Sequence, residues 1–217
     1  MTVTLIIANI AAFGYELSLP WEVLDDLIGT FGVVPAKLQL VGHNPVGVIG
    51  EMAGSLVTST LLHAGLIHLL GNMWYLWIFG DKVEDRMGPI RFLLFYLSCG
   101  IVAGVTHIAF NLTSPTPTIG ASGAVAGILG AYLVSYPFAR ILTLLPFFII
   151  WPVVELPAIL ILGFWFIVQL FNGTAVVTST SNMVGGVAWW AHIGGFISGI
   201  LFLRVFATRP AKAHRHR

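Results

Sequence analysis

Long runs of apolar residues constrain this chain more than any other feature of its sequence. Only 9% of its residues are charged and 57% are hydrophobic, whereas ordinary globular domains carry roughly 25% charged residues. A water-soluble surface cannot be built from so few charges, so lipid must be the solvent for most of the chain. The sequence has no basic stripe, and nucleic acid is not expected as a partner. We therefore expect the membrane lipid itself to be the surrounding partner.

Six of these runs approach the roughly 20 residues that a helix needs to cross a bilayer. They are approximately Thr2–Leu19, Thr58–Phe79, Phe92–Phe110, Ile119–Tyr136, Val153–Phe171 and Met183–Phe206. A seventh apolar stretch, Ile141–Ile150, contains Pro146, and we interpret it as an interfacial lead-in to the fifth span. The sequence thus predicts an all-α membrane protein, a bundle of six transmembrane helices over residues 1–207, followed by a basic cytoplasmic tail over 208–217.

Positive charges fall in alternate connections between these spans. Loops 80–91 and 137–152 and the tail carry Lys or Arg, while loops 111–118 and 172–182 carry no charge and loop 20–57 has one cation against four acids. By the positive-inside rule, both termini are predicted to be cytoplasmic in a multi-pass protein of the inner or plasma membrane. No cation precedes the first apolar run and no small-residue cleavage site follows it, so a signal peptide is not expected.

The first outer loop, residues 20–57, is too long for a simple turn between helices 1 and 2. Apolar residues alternate there with acids in a helical rhythm from Trp21 to Phe31, which indicates a segment lying on the membrane surface. Two interpretations are open. The segment is either a membrane-surface anchor or a lateral element that borders an active site.

Polar side chains inside the spans are the best indicators of function, because they are costly in lipid and usually face a protein interior. They are His63, His68 and Asn72 in the second span, His107 in the third, Ser122 in the fourth, Glu155 and Gln169 in the fifth and His192 in the sixth. At about 1.5 Å per helical residue, Ser122, His192 and His63 lie in the outer half of the membrane. His68 and Asn72 share a helical face, and the spacing predicts that His63 points elsewhere. No role is assigned to His107 or Glu155.

Glycine spacing gives the fourth and sixth spans a way to meet. Gly123 and Gly127 in one, and Gly195 and Gly199 in the other, have the small-xxx-small spacing that lets helices approach closely in lipid. Such docking would bring Ser122 to His192. Plain helix packing with an incidental histidine remains an alternative at this point.

A serine–histidine pair is chemically sensible, because histidine can take the serine proton near neutral pH. Ser122 at a helix N-terminus would also lie near free backbone N–H groups that can hold an oxyanion. Asn72 and His68 could supply further hydrogen bonds. No aspartate lies in any span, which predicts a dyad rather than a triad. The zinc motif H-E-x-x-H is missing, so neither a metal nor another cofactor is expected. The single cysteine, Cys99, is interpreted as a buried, inert thiol.

Five short motifs follow one another along spans two to six. They are Leu62-His63-Ala64-Gly65, His68-Leu69-Leu70-Gly71-Asn72-Met73, Phe79-Gly80 with Val83-Glu84-Asp85-Arg86-Met87-Gly88, Gly120-Ala121-Ser122-Gly123, and Ala191-His192-Ile193-Gly194-Gly195. Together they resemble the rhomboid family of intramembrane serine proteases, in its bacterial or archaeal six-span type, from about residue 58 to residue 206. The Trp-Arg pair common in the family's first outer loop is not evident in this chain.

The resemblance implies a role for each matching residue. Ser122 would be the nucleophile and His192 the base, with His68, Asn72 and Gly120 forming the oxyanion site. Structural support would come from His63 beneath the first outer loop, and from Glu84 and Arg86 at the turn between spans two and three.

The same resemblance implies the substrates. They would be single-span membrane proteins cut near the outer face, with access near span five and the loop before span six, where Asn172 and the Ser/Thr-rich residues 178–181 lie. The alternative is a catalytically silent relative that binds or escorts membrane proteins. A transporter is disfavoured, because the sequence has no inverted repeat and no charged midplane site.

Overall fold

The computed structural model describes residues 1–145, 151–178 and 187–210. These residues form a helical bundle with one small β-hairpin. In chain order the elements are α1 (Thr2–Ser18), α2 (Trp21–Phe31), a 3₁₀ helix (Pro35–Leu40), α3 (Pro45–Thr58), a 3₁₀ turn (Ser59–Leu61), α4 (Leu66–Met87), α5 (Pro89–Phe110), α6 (Ser122–Ser135), β1 (Arg140–Leu144), β2 (Val153–Pro157), α7 (Ala158–Thr178) and α8 (Trp189–Phe206). The predicted all-α membrane fold is confirmed.

Three described helices are long and apolar enough to cross a membrane, namely α5, α7 over Ala158–Ala175, and α8. A fourth candidate joins Pro45–Leu61 to α4 across a bend of 84°. Helices α1 and α6 are apolar but shorter. The prediction of six spans therefore remains a prediction.

Helix α6 is the centre of the bundle. Every residue from Gly123 to Tyr132 is buried, and Gly and Ala make up more than half of that stretch. Small side chains let α6 be surrounded on all sides, because neighbouring backbones can approach its axis closely. Helices α4, α5, α7 and α8 all pack against it. The aromatic residues Phe92, Phe95 and Tyr96 of α5 complete the core beneath it.

The predicted second span begins too early. Residues Thr58–Gly65 are not one continuous helix with α4, because the chain passes through a 3₁₀ turn and an extended Leu62 before α4 starts at Leu66. His63 therefore lies in a connection and not in a helix. The 84° bend between the two helical parts invalidates a prediction that assumed one straight helix.

The fifth span also begins later than predicted. Its first residues form β2, which pairs antiparallel with β1. The β-branched residues Ile141, Thr143, Val153 and Val154 favour this hairpin over helix. Arg140 and Glu155 form an ion pair of 3.6 Å across it, which gives Glu155 a partner. The predicted interfacial lead-in is thus partly strand.

Some predicted features fall outside the described residues. They are residues 146–150 of the lead-in, 179–186, which include most of the Ser/Thr-rich loop and the first residues of the predicted sixth span, and 211–217 of the basic tail.

Glu84 and Arg86 connect elements other than the turn predicted for them. The Glu84 carboxylate accepts hydrogen bonds from the Thr2 backbone N–H at 2.7 Å and from its hydroxyl at 2.8 Å, at the start of α1. The Arg86 guanidinium donates to Ser135 Oγ at 2.8 Å and to the Arg209 carbonyl at 2.6 Å. The turn itself depends on Gly88, whose φ of 79° favours glycine. The two side chains thus contact the ends of α1, α6 and α8, and their role as structural support stays a prediction.

Candidate active site

Ser122 is the first residue of α6, although the predicted fourth span begins earlier, at Ile119. The first backbone hydrogen bond of α6 runs from the Val125 N–H to the Ala121 carbonyl and is 3.0 Å long. The N–H groups of Ser122, Gly123 and Ala124 come before it and have no acceptor within the helix. Unpaired N–H groups at a helix start can stabilise a negative charge. The Ser122 side chain is half-buried. A nucleophile at this position would have backbone donors beside it.

The segment that leads into Ser122 is anchored to two distant parts of the chain. Val33 and Thr118 exchange backbone hydrogen bonds of 3.0 and 2.8 Å, which join the first outer loop to this segment. The Gly120 N–H donates to the Ser59 carbonyl at 2.8 Å. The position of Ser122 is therefore set by the loop before α4 as well as by α6.

Gly120 lies directly against the His68 imidazole. A Cβ added to Gly120 would meet His68 Cε1 at 2.6 Å and Nε2 at 2.8 Å, and would lie 3.7 Å from Ser122 Oγ. The φ of Gly120 is +127°, a backbone conformation that residues other than glycine rarely adopt. The fold thus brings His68, Gly120 and Ser122 together, and glycine is required for both space and backbone geometry.

Helices α6 and α8 meet through the four glycines singled out in the sequence. A Cβ added to Gly195 would overlap the Gly123 carbonyl, and one added to Gly199 would lie 2.6 Å from the Gly127 Cα. Near the start of α6, a Cβ on Gly123 would lie 3.9 Å from the Ala191 Cβ. Gly123 is adjacent to Ser122 in the chain, and Ala191 is adjacent to His192. The contact therefore places Ser122 and His192 at a similar height along the two helices. No hydrogen bond joins Ser122 to His192 among the residues described.

Helix α7 supplies the direct contacts to His192. The imidazole Nδ1 lies 2.8 Å from the Gln169 side-chain oxygen. Trp165, one turn earlier on α7, packs with its ring centroid 5.8 Å from that of His192. Gln169 is only 4% exposed, so this polar contact is shielded from solvent.

Two further histidines, His68 and His107, lie at the segment that leads into Ser122. His107 Nε2 lies 2.9 Å from Thr118 Oγ1, at the anchored segment before Ser122. Three of the seven histidines of the chain thus converge around one helix start. His107, to which the sequence assigned no role, is part of this arrangement.

Asn72 and His63 lie beside His68, although not in the way the sequence predicts. The Asn72 side-chain amide donates to the His68 carbonyl at 3.1 Å, one turn back on α4. The His63 and His68 rings pack edge to face with centroids 5.3 Å apart. The expectation that these two histidines point different ways is wrong, because the chain bends between them. The His63 backbone N–H donates to the buried Glu16 carboxylate of α1 at 3.2 Å.

A cavity of about 30 Å³ opens next to Ser122. It is large enough for about two water molecules, since one water needs roughly 10–15 Å³ measured in this way. Ser59, Thr60, Thr118, Gly120 and Ser122 contribute to its polar side. Within the described part of the chain, no group of three His, Cys, Asp or Glu side chains is arranged to hold a metal ion.

The sequence left Gln169, Thr118 and Glu16 out of the site. A buried glutamine in an apolar helix was a visible signal, since polar residues in spans face the protein interior. Its partner could not be identified, because Gln169 and His192 lie on different helices with no shared periodicity. Glu16, inside the predicted first span, was a signal of the same kind, whereas Thr118 lies in a connection and was not.

Comparison with known proteins agrees with this arrangement. The model of the Rhomboid domain matches residues 50–209. The chain is 31% identical over 163 residues to RHOMBOID-like protein 6, mitochondrial, of Arabidopsis thaliana, covering 75% of this chain and 47% of that relative. It is 35% identical over 133 residues to the putative rhomboid protease YdcA of Bacillus subtilis, covering 60% of each. The rhomboid protease GluP of the same bacterium is 46% identical over 78 residues, which are 36% of this chain and 15% of GluP.

This chain spans about half the length, or less, of several of its relatives. The matched region includes Ser122, His192 and helices α4 to α8, whereas Val33, whose backbone pairs with Thr118, lies outside it. Its apolar helices are those of a multi-pass membrane protein. The chain belongs to the rhomboid family.

Proposed function

We propose that this protein is an intramembrane serine endopeptidase that cleaves single-span membrane proteins near the outer membrane face with Ser122 and His192. One observation carries the proposal. The glycine contact between α6 and α8 brings Ser122, at a helix start, to the level of His192, while His68 and Gly120 lie beside the serine. The names of the relatives YdcA and GluP, both called rhomboid proteases, support the reaction class.

In the first half of the reaction, the Ser122 hydroxyl attacks the carbonyl carbon of the substrate and its proton passes to His192 Nε2. The carbonyl oxygen becomes an oxyanion beside the N–H groups at the start of α6, where His68 and Asn72 can also donate. His192 then gives the proton to the leaving amine, so the C–N bond breaks and an acyl-enzyme remains.

In the second half, water attacks the acyl carbon while His192 takes one of its protons. Ser122 leaves and recovers that proton, which releases the carboxylic acid product. The cavity beside Ser122 can supply the water, because its size and polar lining fit one or two molecules. The site therefore accounts for every proton in the cycle without a metal or cofactor.

The absence of a Ser122–His192 hydrogen bond in the free enzyme is compatible with this chemistry. Catalytic hydrogen bonds are often long before substrate is bound and shorten in the reactive complex. The buried surroundings of His192 also exclude bulk water, which strengthens the interactions of developing charges.

The remaining sequence predictions form part of the proposal. They are the bacterial or archaeal six-span type, both termini on the cytoplasmic side of the inner or plasma membrane, and a membrane domain over 1–207 with a separate tail over 208–217. The positive charges of the alternate loops support the orientation.

A fluorophosphonate probe and a single-span model substrate, both applied in detergent or liposomes, test the function. We expect the wild type to be labelled and to cut the substrate, and Ser122→Ala and His192→Ala each to abolish cleavage. Absence of labelling in a folded wild type, or equal labelling of Ser122→Ala, would favour the silent, escorting alternative. Thermal unfolding of each variant controls for loss of structure.

A further inference from the structure

We infer that Gln169 is a positioning residue for His192, and that its side-chain oxygen fixes which imidazole nitrogen carries the proton. The inference rests on the proposed function, which requires a base at His192. It adds a third member, on α7, to the pair predicted from the sequence.

The donor and acceptor roles in this contact follow from a second hydrogen bond. The Gln169 amide nitrogen donates to the Trp165 carbonyl at 3.4 Å. A backbone carbonyl only accepts hydrogen bonds. The nitrogen end of the Gln169 amide is thereby directed to Trp165, and the oxygen end faces His192.

The tautomer of His192 then follows. Gln169 Oε1 can only accept, and it lies 2.8 Å from His192 Nδ1, so Nδ1 must carry a hydrogen. A neutral imidazole has one N–H, so Nε2 holds the lone pair. Nε2 is the nitrogen that must take the serine proton in the proposed reaction.

Packing holds the pair in place. Gln169 is 4% exposed, and the Trp165 ring lies against the imidazole on the same side. An aspartate orients the base in serine–histidine–aspartate sites, and a neutral amide can do so without the cost of a charge in lipid. Gln169 can therefore take the orienting role, since no aspartate is among the contacts described for His192.

The first experiment measures the His192 tautomer directly, by ¹⁵N NMR of histidine-labelled protein in micelles, with His192→Gln to assign the signals. We expect Nδ1 to be protonated and Nε2 unprotonated in the wild type. In Gln169→Leu, which removes the acceptor, the two tautomers should become mixed. A wild type protonated on Nε2, or an unchanged tautomer in Gln169→Leu, overturns the inference whether or not the protein is a protease.

The second experiment measures cleavage of the single-span substrate. Gln169→Leu should lower kcat about tenfold with KM unchanged, the size expected for loss of one buried hydrogen bond. Gln169→Glu keeps acceptor oxygens and should recover most of the rate. The matched control is Asn9→Leu in α1, which removes a fully buried amide that donates to the Leu5 carbonyl one turn earlier on its own helix.

Each outcome of the cleavage experiment either supports the role of Gln169 or contradicts it. A Gln169→Glu variant as slow as Gln169→Leu, or an Asn9→Leu variant equally impaired, would show a merely structural effect and overturn the inference. A wild type that neither cleaves nor is labelled refutes the proposed function instead, and the NMR measurement then still decides the tautomer.

Discussion

Gly195 of α8 lies directly against the Gly123 carbonyl of α6, with no room for even one carbon between them. The same relationship recurs one helical turn further, between Gly199 and Gly127. Because these contacts are between backbones, no side-chain adjustment can relieve an added methyl group. The separation of α6 and α8 therefore depends on glycine at these positions, and so does the distance from Ser122 to His192.

Replacing Gly199 with alanine should therefore destabilise the bundle. The added Cβ would lie 2.6 Å from the Gly127 Cα, and overpacking of this kind costs about 1–3 kcal/mol or more. Thermal unfolding in detergent should show a lower midpoint, and the fluorophosphonate labelling rate should fall. Gly163→Ala in α7 is the matched control, since nothing lies within 4 Å of its added Cβ. Equal stability of the two variants would contradict the packing argument.

Gly120→Ala should impair the site more than the fold. Alanine at φ +127° is strained by about 1–3 kcal/mol, and its methyl group would displace the His68 imidazole. We expect probe labelling of Ser122 to fall at least tenfold while most helical structure, measured by circular dichroism, remains. Gly71→Ala, at an open position of α4, should behave as wild type. Normal labelling of Gly120→Ala would exclude His68 from the reactive site.

Thr118→Val should slow the reaction, because it removes the hydroxyl that contacts His107 Nε2 at 2.9 Å. Loss of one such bond is worth about 1 kcal/mol, or roughly fivefold in rate if the segment before Ser122 shifts. Thr118→Ser keeps the hydroxyl and is the control, with the labelling rate as the measurement. If Thr118→Ser is slowed as much as Thr118→Val, the methyl group matters and the hydrogen bond does not.

Arg86→Gln should lower stability without removing the reactive pair. The change weakens the contacts to Ser135 Oγ and the Arg209 carbonyl. A hydrogen bond from a charged group contributes about 1.5–3 kcal/mol to stability. The midpoint of thermal unfolding in detergent should decrease. Arg91→Gln removes an exposed cation near the start of α5 and should have little effect. A larger loss in Arg91→Gln would refute the assigned role of Arg86.

The proposed orientation is testable with single cysteines, because the native Cys99 is fully buried. Leu112 and Phe138 are exposed, at 53% and 79%, in connections predicted to face opposite sides. A membrane-impermeant maleimide should label Leu112→Cys in intact cells, and Phe138→Cys only after permeabilisation. Labelling in the reverse pattern would place the termini outside.

Some structural predictions succeeded because they depend on local chemistry. The position of Ser122 near a helix N-terminus and the contact of Gly123 and Gly127 with Gly195 and Gly199 follow from residue spacing along single helices. Other predictions failed where the chain departs from a straight helix. His63 was assigned to a span and directed away from His68, whereas a bend before Leu66 brings the two rings together. The β-hairpin was missed because its strands are as apolar as a span.

The sequence by itself determined that the chain belongs in lipid and that Ser122, His192 and their glycine neighbours could meet. These properties reside in composition and in helical periodicity, which are local. Only the tertiary structure decided which residues hold the site in place. Gln169 beside His192, Thr118 beside His107 and Glu84 at the start of α1 are contacts between separate elements. Such pairings depend on how helices are rotated and bent against one another, and no spacing along the chain encodes that geometry.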